Sequence, residues 1–457
     1  MVNVLQAIVD HRRETLANSS DVYELEQSTR SLYDALSQPY FGFIMECKMA
    51  SPSKGLIRSD FNLKEIVPVY NQYADAISVL TEDRFFRGSY ANLKYVSENT
   101  DKPVLCKDFI LEPKQVRLAR HHGADAILLM MSVLDDKSYQ ACKQQAEKLA
   151  LDILTEVHDD KELERALKFD AKIIGINNRN LKDLSVDLSH TERLARNVPD
   201  DVIVVTESGI NSHDDVLSLS PIADACLVGS SLMSQKDLDK ATSELVYGDI
   251  KICGVTNQYD ADALQSTPAS SLGMIFVERS PRYFKDNELK SHKPRVGVFQ
   301  NHSLERVLEL VNKHDLETVQ LHGDESVSYV KELKEALPEH CKLSKVLSIE
   351  PDKKIPTTFE YAVDEVLLDT KIGDLTGGTG QNFDWSLINE FKRHFPNLKV
   401  RVAGGIDSNN IQRLKLLGVS AIDVCGGTES EPGIKSLDKV SELFFNARAK
   451  SGRNTKR

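Results

Sequence analysis

The chain has 457 residues, enough for two or three domains that each bury a sizeable core. Hydrophobic residues make up 41% and charged residues 28%, as in an ordinary soluble globular protein, and the formal net charge is −12. This negative balance argues against nucleic acid as a partner, although a local cluster of Lys and Arg can still bind a small anion.

Targeting signals and cysteine usage favour the cytoplasm. No apolar run is long enough to span a bilayer, and residues 1–16 have no signal-peptide core, so we expect no membrane association. The seven cysteines are scattered, without a Cys-x-x-Cys pair. This pattern predicts reduced thiols in a cytoplasmic protein, and neither a disulfide framework nor a zinc site.

An apolar repeat organises the first half of the chain. Residues 1–40 are predicted to be helical, because Leu5, Ile8 and Val9 fall on one face. Eight apolar runs then alternate with helical patterns such as 112–122 and 137–149. The runs are 41–45, 75–80, 104–106, 124–131, 151–154, 173–176, 202–205 and 225–228.

Eight strands that alternate with helices predict a closed (β/α)8 TIM barrel of the α/β class. The alternative is an open, doubly wound sheet, which would more often show a Gly-x-Gly-x-x-Gly turn after its first strand, and none is present there. In a barrel the carboxyl ends of all strands meet at one mouth, so the polar residues after the runs should converge. They include Glu46, Lys48, Glu82, Lys107, Glu156, Asn177, Arg179 and Glu207.

Lysines, an arginine and carboxylates around one mouth suit an anionic substrate and proton transfer. Taken alone, Lys107 would be a solvated residue at a strand end, and for Glu82 and Glu207 the alternative is a rim ion pair. Small residues after strands 1, 7 and 8 let backbone N–H groups approach a phosphate. These residues are Ser51, Gly209, Gly229 and Ser230.

Four motifs of the first half carry a resemblance to a known family. They are Glu46-Cys47-Lys48-Met49-Ala50-Ser51-Pro52-Ser53, Cys106-Lys107-Asp108-Phe109, Gly175-Ile176-Asn177-Asn178-Arg179 and Thr206-Glu207-Ser208-Gly209. With these motifs, residues 1 to about 245 resemble the indole-3-glycerol-phosphate synthase family. The family closes an indole ring on an anthranilate-derived phosphosugar, with loss of carbon dioxide and water.

This resemblance implies roles for individual residues. Lys107 would be the general acid that protonates the carbonyl oxygen during ring closure, and Lys48 a second acid and substrate contact. Glu156 and Glu46 are the candidate bases, with the choice between them open. Asn177 and Arg179 would bind the substrate carboxylate, since an arginine fork suits this group. The further implied substrate contacts are Ser51, Phe109, Glu207, Ser208, Gly209, Gly229 and Ser230.

The alternation restarts after the short turn Tyr247-Gly248-Asp249, which is the predicted domain boundary. Eight further runs predict a second TIM barrel in tandem, so we assign residues 1–248 to one barrel and 249–457 to the other. The runs lie at 250–252, 272–277, 296–299, 319, 343–347, 366–368, 400–403 and 422–424.

Cys253 and Asp369 each follow a strand of the second repeat and form a candidate base and acid. Cys253 precedes a glycine turn, where a thiolate could face the mouth, but it needs a lowered pKa to act as a base. The other strand-end cysteines are interpreted as small buried hydrophobic residues. They are Cys47, Cys106, Cys226 and Cys425.

Glycine pairs and a histidine complete the second predicted site. Gly404-Gly405 and Gly426-Gly427 follow strands 7 and 8, the usual phosphate position of a barrel. Residues 377–380 are predicted to form a mobile loop that closes over a substrate. His322 is interpreted as a pocket or structural histidine, because no second ligand lies at metal spacing.

Five motifs of the second half carry a further resemblance. They are Lys251-Ile252-Cys253-Gly254, Arg282-Tyr283, Val319-Gln320-Leu321-His322-Gly323, Leu368-Asp369-Thr370 and Gly377-Gly378-Thr379-Gly380. With these motifs, residues 249 to about 450 resemble the phosphoribosylanthranilate isomerase family, which converts an aminoaldose phosphate into an aminoketose phosphate. By resemblance, Cys253 takes the proton from the sugar C2, Asp369 is the acid that opens the ring, and Arg282 binds the anthranilate carboxylate. The other implied substrate contacts are Gln320, His322, Gly378, Gly405 and Gly427.

One departure from the second family follows strand 8, where its members usually carry serines and this chain has Cys425-Gly426-Gly427. Backbone contacts to a phosphate remain possible there. Together, the two resemblances imply two consecutive steps of tryptophan biosynthesis, the C-terminal barrel acting first, in a monomer that uses small phosphosugar–anthranilate substrates and no metal or organic cofactor. The alternatives are two other phosphosugar enzymes, or one barrel as a scaffold without activity.

Overall fold

The computed structural model describes residues 4–17, 25–180, 185–285, 288–349, 355–356, 358–372, 375–376 and 383–453. The chain divides into two compact units, Met1–Val246 with Ala449–Arg457, and Tyr247–Arg448. None of the helices in the described ranges is both long and apolar enough to cross a bilayer.

The first unit is a closed barrel of eight parallel strands with helices between them. Its described strands are β1 (Gly42–Cys47), β2 (Ala50–Ser51), β3 (Gly55–Leu56), β4 (Ala76–Leu80), β5 (Val104–Lys107), β6 (Ala126–Met130), β7 (Asp152–Val157), β8 (Ile173–Asn177), β9 (Ile203–Glu207) and β10 (Ala225–Val228). The ring runs β1-β10-β9-β8-β7-β6-β5-β4 and closes through the pair β1–β4. The strands β2 and β3 form a small antiparallel hairpin in the loop after β1.

The described helices of this unit are α1 (Val4–Ala17), α2 (Leu32–Leu36), α3 (Leu63–Tyr73), α4 (Tyr90–Glu98), α5 (Pro113–His121), α6 (Asp136–Lys148), α7 (Asp160–Lys168), α8 (Ser189–Ala195), α9 (His213–Leu219), α10 (Ser230–Met233) and α11 (Leu238–Tyr247). Several begin at a polar side chain that accepts a hydrogen bond from a backbone N–H of the first turn, a standard helix start. These N-cap residues include Asn62, Ser89, Asp135, Asp159 and Ser212.

Burial explains why the sequence repeat predicts strands so well. Every residue of β4, β6, β8 and β9 is buried, because one face points into the barrel and the other is covered by helices. Such strands read as continuous apolar runs, not as alternating ones. The polar exceptions come at their carboxyl ends, which lie at the mouth.

The second unit repeats this architecture. Its described strands are β11 (Asp249–Cys253), β12 (Ser271–Ile275), β13 (Arg295–Phe299), β14 (Thr318–Leu321), β15 (Lys342–Ile349), β16 (Glu365–Ile372), β17 (Leu375–Thr376), β18 (Lys399–Val402), β19 (Ala421–Val424), β20 (Glu429–Glu431) and β21 (Ile434–Lys435). Its described helices are α12 (Gln258–Gln265), α13 (Leu304–His314), α14 (Val327–Ala336), α15 (Leu387–His394), α16 (Ile411–Leu416) and α17 (Leu437–Ala447).

Eight of these strands are parallel neighbours in the order β15-β14-β13-β12-β11-β19-β18-β16, and the pair β15–β16 closes the ring. β17 adds to β16 in the antiparallel direction, and β20 with β21 forms a hairpin after the last barrel strand. The prediction of two tandem TIM barrels is confirmed.

The start of the chain differs from the prediction of helix over residues 1–40. After α1, residues 25–31 form no helix, because their polar groups bind the barrel instead. The backbone N–H of Ser28 donates to the carbonyl of Leu149, and its hydroxyl donates to Asp125. Arg30 makes an ion pair with the same aspartate at 2.8 Å. These bonds compete with helical hydrogen bonds and hold the segment in an irregular path.

The segment Ala449–Arg453 belongs to the first unit, although the sequence assignment placed it in the range 249–457. Lys450 forms an antiparallel bridge with Tyr40, just before β1, and the backbone N–H of Phe41 donates to the carbonyl of Ala449 at 2.7 Å. The segment therefore extends the edge where the first barrel strand begins, at the end of the barrel opposite the mouth.

Arg453 is the main anchor of this segment and is 7% exposed. Its Nε donates to the carboxylate of Asp224, which is fully buried and also accepts a hydrogen bond from the Ser451 hydroxyl at 2.9 Å. Its two terminal nitrogens donate to four backbone carbonyls. These carbonyls belong to Ala195, Val198, Pro199 and Val202. A guanidinium group satisfied in this way stabilises the loops that precede β9 and β10.

We expect Arg453→Ala to lower the free energy of unfolding of the first unit by about 2 kcal/mol, because hydrogen bonds to a buried charged group are lost. Urea unfolding followed by circular dichroism measures the change. The fluorescence of Trp385, the one tryptophan of the chain, reports the second unit and should keep its midpoint.

The matched control is Lys450→Ala, which removes an exposed cation from the same segment and should leave both transitions in place. Equal stability of the two variants would contradict an anchoring role for Arg453.

Candidate active sites

The mouth of the first barrel contains a cavity of about 680 Å³. Its lining includes every site residue predicted for this half of the chain except Glu82, and all eight barrel strands and the loops that follow them contribute to it. The predicted residues in the lining are Glu46, Lys48, Ser51, Lys107, Phe109, Glu156, Asn177, Arg179, Glu207, Ser208, Gly209, Gly229 and Ser230.

Lys107 lies at the charged centre of this cavity. Its Nζ is 3.3 Å from a carboxylate oxygen of Glu156 and donates a hydrogen bond to Glu207. Burial disfavours the charged ammonium group, but the carboxylates of Glu207, Glu156 and Glu46 outweigh this effect and raise the pKa of Lys107. The lysine is therefore a cation at neutral pH.

Glu207 is 2% exposed and lies inside the mouth, away from solvent. Burial, opposed by Lys107 and reinforced by Glu156, raises its pKa to about 7. Among the described residues its Oε1 has no hydrogen-bond partner, and a Cβ at Gly175 would lie only 2.2 Å from that oxygen. Glu207 can thus exchange a proton near neutrality, a property that its position in the sequence does not reveal.

A second ion pair joins Lys48 and Glu46, with 2.5 Å between Nζ and Oε1. Gly229 passes close to this pair, because a Cβ there would lie 2.4 Å from the Glu46 oxygen and 3.1 Å from the Lys48 nitrogen. Ser230 follows it as the first residue of α10. The glycine lets the chain after β10 approach the charged groups at the end of β1.

Asn177 and Arg179 form the side of the cavity that follows β8. The amide of Asn177 donates to Glu156 at 3.3 Å, and its side-chain oxygen accepts from the backbone N–H of Arg179 at 3.0 Å. Burial lowers the pKa of the Arg179 guanidinium. Removing part of a guanidinium group from water costs free energy, and an anionic ligand would offset that cost. Arg179 therefore favours the binding of an anion.

Helix α1 supplies an apolar wall that sequence reasoning did not assign to the site. Val4, Leu5 and Ile8 line the cavity. Arg12, on the same helix, is 7% exposed and binds Asp108 through two hydrogen bonds of 2.7 and 2.5 Å.

The pair of Arg12 and Asp108 fixes the helix beside the catalytic candidates. Arg12 also donates to the carbonyl of Thr81 at 3.0 Å, and Asp108 accepts from the hydroxyls of Thr81 and Tyr90 at 2.6 and 3.0 Å. The signal in the sequence was the aspartate itself, since a buried charge directly after Lys107 requires a partner.

Glu82 does not appear in the cavity lining. It is fully buried, and its carboxylate accepts hydrogen bonds from the backbone N–H groups of Arg84, Phe85 and Phe86. Its oxygens also lie near His11. In the described part of the chain, His11, Glu82 and Asp83 form a cluster of residues whose side chains could bind a metal ion. Because Glu82 already binds three backbone donors, its position supports the structural alternative for this residue.

In the second unit, Asp369 lies near the end of β16 and is 5% exposed. Burial raises its pKa to about 7, with a further contribution from Asp423. A Cβ at Gly404, whose φ is +91°, would lie 2.9 Å from its Oδ1. Glycine at that position therefore allows the chain after β18 to pass beside the carboxyl group.

Cys253 ends β11 and is 6% exposed. The neighbouring thiol of Cys425 lowers the pKa of Cys253 against the effect of burial, and Lys251 lowers it further. Cys425, which the sequence analysis treated as a plain hydrophobic residue, thus belongs to the site.

Gln320 is part of a buried polar network under the mouth, and the half-buried His322 lies near the cation of this network. Lys251 donates to the amide oxygen of Gln320 at 2.6 Å and to Asp423 at 2.8 Å. Burial, reinforced by the cation of Lys251, lowers the pKa of His322 to about 4, so the imidazole is neutral. Gln320 therefore orients the lysine, in addition to any contact with a ligand.

Arg282 is held by a carboxylate that was not predicted. Its Nε lies 3.0 and 2.9 Å from the two oxygens of Glu429, and Nη2 is 2.8 Å from one of them. Lys435 contacts the same glutamate at 3.0 Å. One edge of the guanidinium group is thus occupied within the protein. Sequence offers only a weak signal for this pair, because 147 residues separate its members.

The predicted phosphate residues of this unit are Gly405 and Gly427, which follow β18 and β19. A Cβ at Gly427 would lie 2.1 Å from the carbonyl oxygen of Ile406, so the two loops approach each other closely there. Gly378 and the predicted loop 377–380 lie outside the described residues.

Two family models match the chain. The model of indole-3-glycerol phosphate synthase matches residues 2–245, and that of N-(5'-phosphoribosyl)anthranilate (PRA) isomerase matches residues 250–446. A solved structure of phosphoribosyl anthranilate isomerase from Thermotoga maritima is 29% identical and covers 44% of this chain and 98% of its own, with a TM-score of 0.38.

Full-length relatives carry both halves. Tryptophan biosynthesis protein TrpCF of Vibrio cholerae is 43% identical over 427 residues, covering 92% of this chain and 89% of the relative. The protein of the same name from Vibrio parahaemolyticus is 44% identical over 459 residues, covering 97% and 94%. The chain therefore belongs to the family of bifunctional tryptophan biosynthesis enzymes that join an indole-3-glycerol phosphate synthase, a lyase, to a phosphoribosylanthranilate isomerase.

Proposed function

We propose that the two barrels catalyse consecutive reactions. The C-terminal barrel would isomerise N-(5-phosphoribosyl)anthranilate to the carboxyphenylamino-deoxyribulose phosphate by an Amadori rearrangement. The N-terminal barrel would then close the ring, with loss of carbon dioxide and water, to give indole-3-glycerol phosphate. The observation that carries the proposal is the single cavity in which Lys107 lies between Glu156 and Glu207.

In the N-terminal barrel, we assign Lys107 as the general acid for ring closure. Its ammonium group is cationic and points into the cavity, so it can protonate the carbonyl oxygen as the new carbon–carbon bond forms. Glu156 and Glu46 are candidate bases, and Lys48, which is paired with Glu46, is a second donor. Glu207 accepts a hydrogen bond from Lys107 and so holds its ammonium group in the cavity.

The two ends of the substrate carry negative charge, and the cavity offers groups for both. We propose that Arg179 and Asn177 bind the anthranilate carboxylate. The phosphate would lie at the loops after β1, β9 and β10, near the short helix α10, as is usual in barrel enzymes. The residues proposed there are Ser51, Ser208, Gly209, Gly229 and Ser230. Phe109 and the apolar residues of α1 would contact the aromatic ring.

In the C-terminal barrel, we assign Asp369 as the acid and Cys253 as the base. A carboxyl group with a pKa of about 7 is partly protonated at neutral pH and can donate to the sugar ring oxygen as the ring opens. A cysteine with a lowered pKa can then remove the proton from the sugar C2. Arg282, Gln320, His322, Gly378, Gly405 and Gly427 remain the proposed substrate contacts.

We also propose that the chain works as a monomer in the cytoplasm, without a nucleic-acid partner. In the described residues each barrel has its own candidate acid and base, so neither site needs a group from a second copy. The seven cysteines are scattered along the sequence without a Cys-x-x-Cys pair, a pattern that fits a reducing compartment. The net charge of −12 disfavours binding to nucleic acid.

Lys107→Ala should reduce the rate of indole-ring formation at least 100-fold, the usual contribution of a general acid, while the isomerase rate stays near wild type. The two reactions are measured separately, each from its own substrate. Lys64→Ala, a change at an exposed lysine of the same barrel, serves as the control. A parallel fall in both rates for Lys107→Ala would argue against two independent sites.

Cys253→Ser should reduce the isomerase rate by a similar factor and leave ring closure intact, because a serine hydroxyl is a much weaker base than a thiolate. Cys341→Ser changes another buried cysteine of the second unit and should retain activity. Full turnover by Cys253→Ser would remove this residue as the base.

The isomerase should lose activity as the pH rises above about 7. Burial raises the folded-state pKa of Asp369 to about 7, so the acid is protonated below that pH and deprotonated above it. The measurement is kcat/KM against pH for the isomerase reaction alone. Asp369→Asn should be slow and should lack this alkaline limb, whereas a wild-type rate that is flat from pH 6 to 9 would contradict the assignment.

A further inference from the structure

A buried glutamate connects the hairpin after the last barrel strand to the arginine proposed above as a substrate contact. Glu429, the first residue of β20, is 5% exposed. Both of its oxygens accept hydrogen bonds from Nε of Arg282, at 3.0 and 2.9 Å, and Nη2 of the same arginine lies 2.8 Å from one of them. The carboxylate therefore occupies the edge of the guanidinium group that Nε and Nη2 share.

We propose that Glu429 is a positioning residue that fixes the plane of the Arg282 guanidinium group, so that its remaining edge, Nη1 with Nη2, faces the carboxylate of the anthranilate ring. This role makes the hairpin of β20 and β21 a determinant of specificity for a substrate whose aromatic ring carries a carboxylate. The inference rests on the proposed isomerase function of the C-terminal barrel.

One edge of Arg282 remains available to a ligand. In the described part of the chain, the hydrogen bonds and ion pairs of its side chain all involve Glu429, and its backbone N–H donates to the Ser280 hydroxyl. A guanidinium group has five N–H donors, and its two terminal nitrogens match the two oxygens of a carboxylate. A guanidinium group held by Glu429 can therefore bind a second carboxylate in a bidentate manner.

The arginine side chain lies beside the strand ends that carry the candidate base. A Cβ at Gly254, the residue after Cys253, would lie 2.9 Å from Cδ of Arg282 and 3.2 Å from a carboxylate oxygen of Glu429. A Cβ at Gly426, in the loop after β19, would lie 3.6 Å from Nη2 of the arginine. The absence of side chains at these two glycines leaves the space in which the arginine and the glutamate meet.

Glu429 is held in place by groups other than the arginine. Nζ of Lys435 lies 3.0 Å from its Oε1, and the backbone N–H of Gly433 donates to the same oxygen at 3.2 Å. The Lys435 side chain is 1% exposed and also donates to the backbone carbonyls of Cys253, at 2.5 Å, and Cys425, at 3.4 Å. These bonds tie the carboxylate to the ends of β11 and β19, which is the rigid support that a positioning group requires.

The charge of this cluster favours an anion. Burial opposes the ionisation of Glu429, but Arg282 and Lys435 outweigh this effect and lower its pKa, so the group is a carboxylate at neutral pH. The three side chains carry two positive charges and one negative charge, which leaves one positive charge among them. A substrate carboxylate balances that excess charge.

The test is Glu429→Gln in the full chain, with binding measured for two compounds. One is N-(5-phosphoribosyl)anthranilate, for which KM and kcat are determined, and the other is N-(5-phosphoribosyl)aniline, which lacks the carboxylate and is assayed as a competitive inhibitor. We expect KM to rise about tenfold with little change in kcat, because an arginine without its fixed partner loses side-chain freedom when the ligand binds. The inhibition constant of the aniline compound should equal that of the wild type.

The direction of the change separates positioning from simple charge compensation. If Glu429 only offset the charge of Arg282, its neutralisation would increase the positive charge at the mouth and would lower KM for the anthranilate compound. An unchanged or lower KM would therefore overturn the inference, as would an equal weakening of both compounds.

Matched measurements on the same chain separate this effect from misfolding. Glu431→Gln removes an exposed carboxylate from the same strand and should leave both binding constants unchanged. In Glu429→Gln, the rate of ring closure and the fluorescence of the buried Trp385 should stay at their wild-type values. Glu429→Asp keeps the charge but shortens the side chain, and it should raise KM for the anthranilate compound alone. A wild-type chain without isomerase activity would instead overturn the proposed function of the barrel.

Discussion

The burial of a charged lysine is the interaction on which the first barrel depends. An ammonium group removed from water is costly unless opposite charges surround it, and Lys107 has Glu156 and Glu207 within contact distance. These side chains come from the third, fifth and seventh barrel strands, and Glu46 comes from the first. Alternate strands of a TIM barrel contribute side chains to the same layer. The closed ring therefore gathers one cation and three acids into a single layer.

In the second barrel, different interactions set the pKa values of the candidate base and the candidate acid. The neighbouring Cys425 thiol and the cation of Lys251 lower the pKa of Cys253, whereas burial beside another carboxylate raises the pKa of Asp369. The pKa values of the two groups are thus moved toward neutrality from opposite sides. Lys251 favours the thiolate of Cys253 and pairs with Asp423, whereas its charge opposes the rise in the pKa of Asp369. This buried network links residues that touch no ligand to the chemistry at the mouth.

The fold could be predicted because parallel barrel strands are buried on both faces and therefore appear as apolar runs. Residues at the carboxyl ends of those runs, such as Lys107 and Cys253, could be named because the topology makes them converge. Arg12 and Glu429 could not, because their importance depends on contacts made by a helix and a hairpin outside the strand pattern. Cys425 follows a strand, but the sequence does not show that its thiol influences Cys253. Local sequence also could not show that residues 25–31 use their polar groups to bind the barrel.

The segment Ala449–Arg453 limits how this polypeptide can be cut into two separate domains. A gene cut at the turn near residue 248 would give a first fragment that lacks part of its own architecture, since Arg453 and Ser451 bind Asp224 from the far end of the sequence. An engineer who wishes to transplant the lyase half would have to append this short peptide or design a substitute. The structure of the first barrel therefore depends on a segment that the chain supplies only after the second barrel.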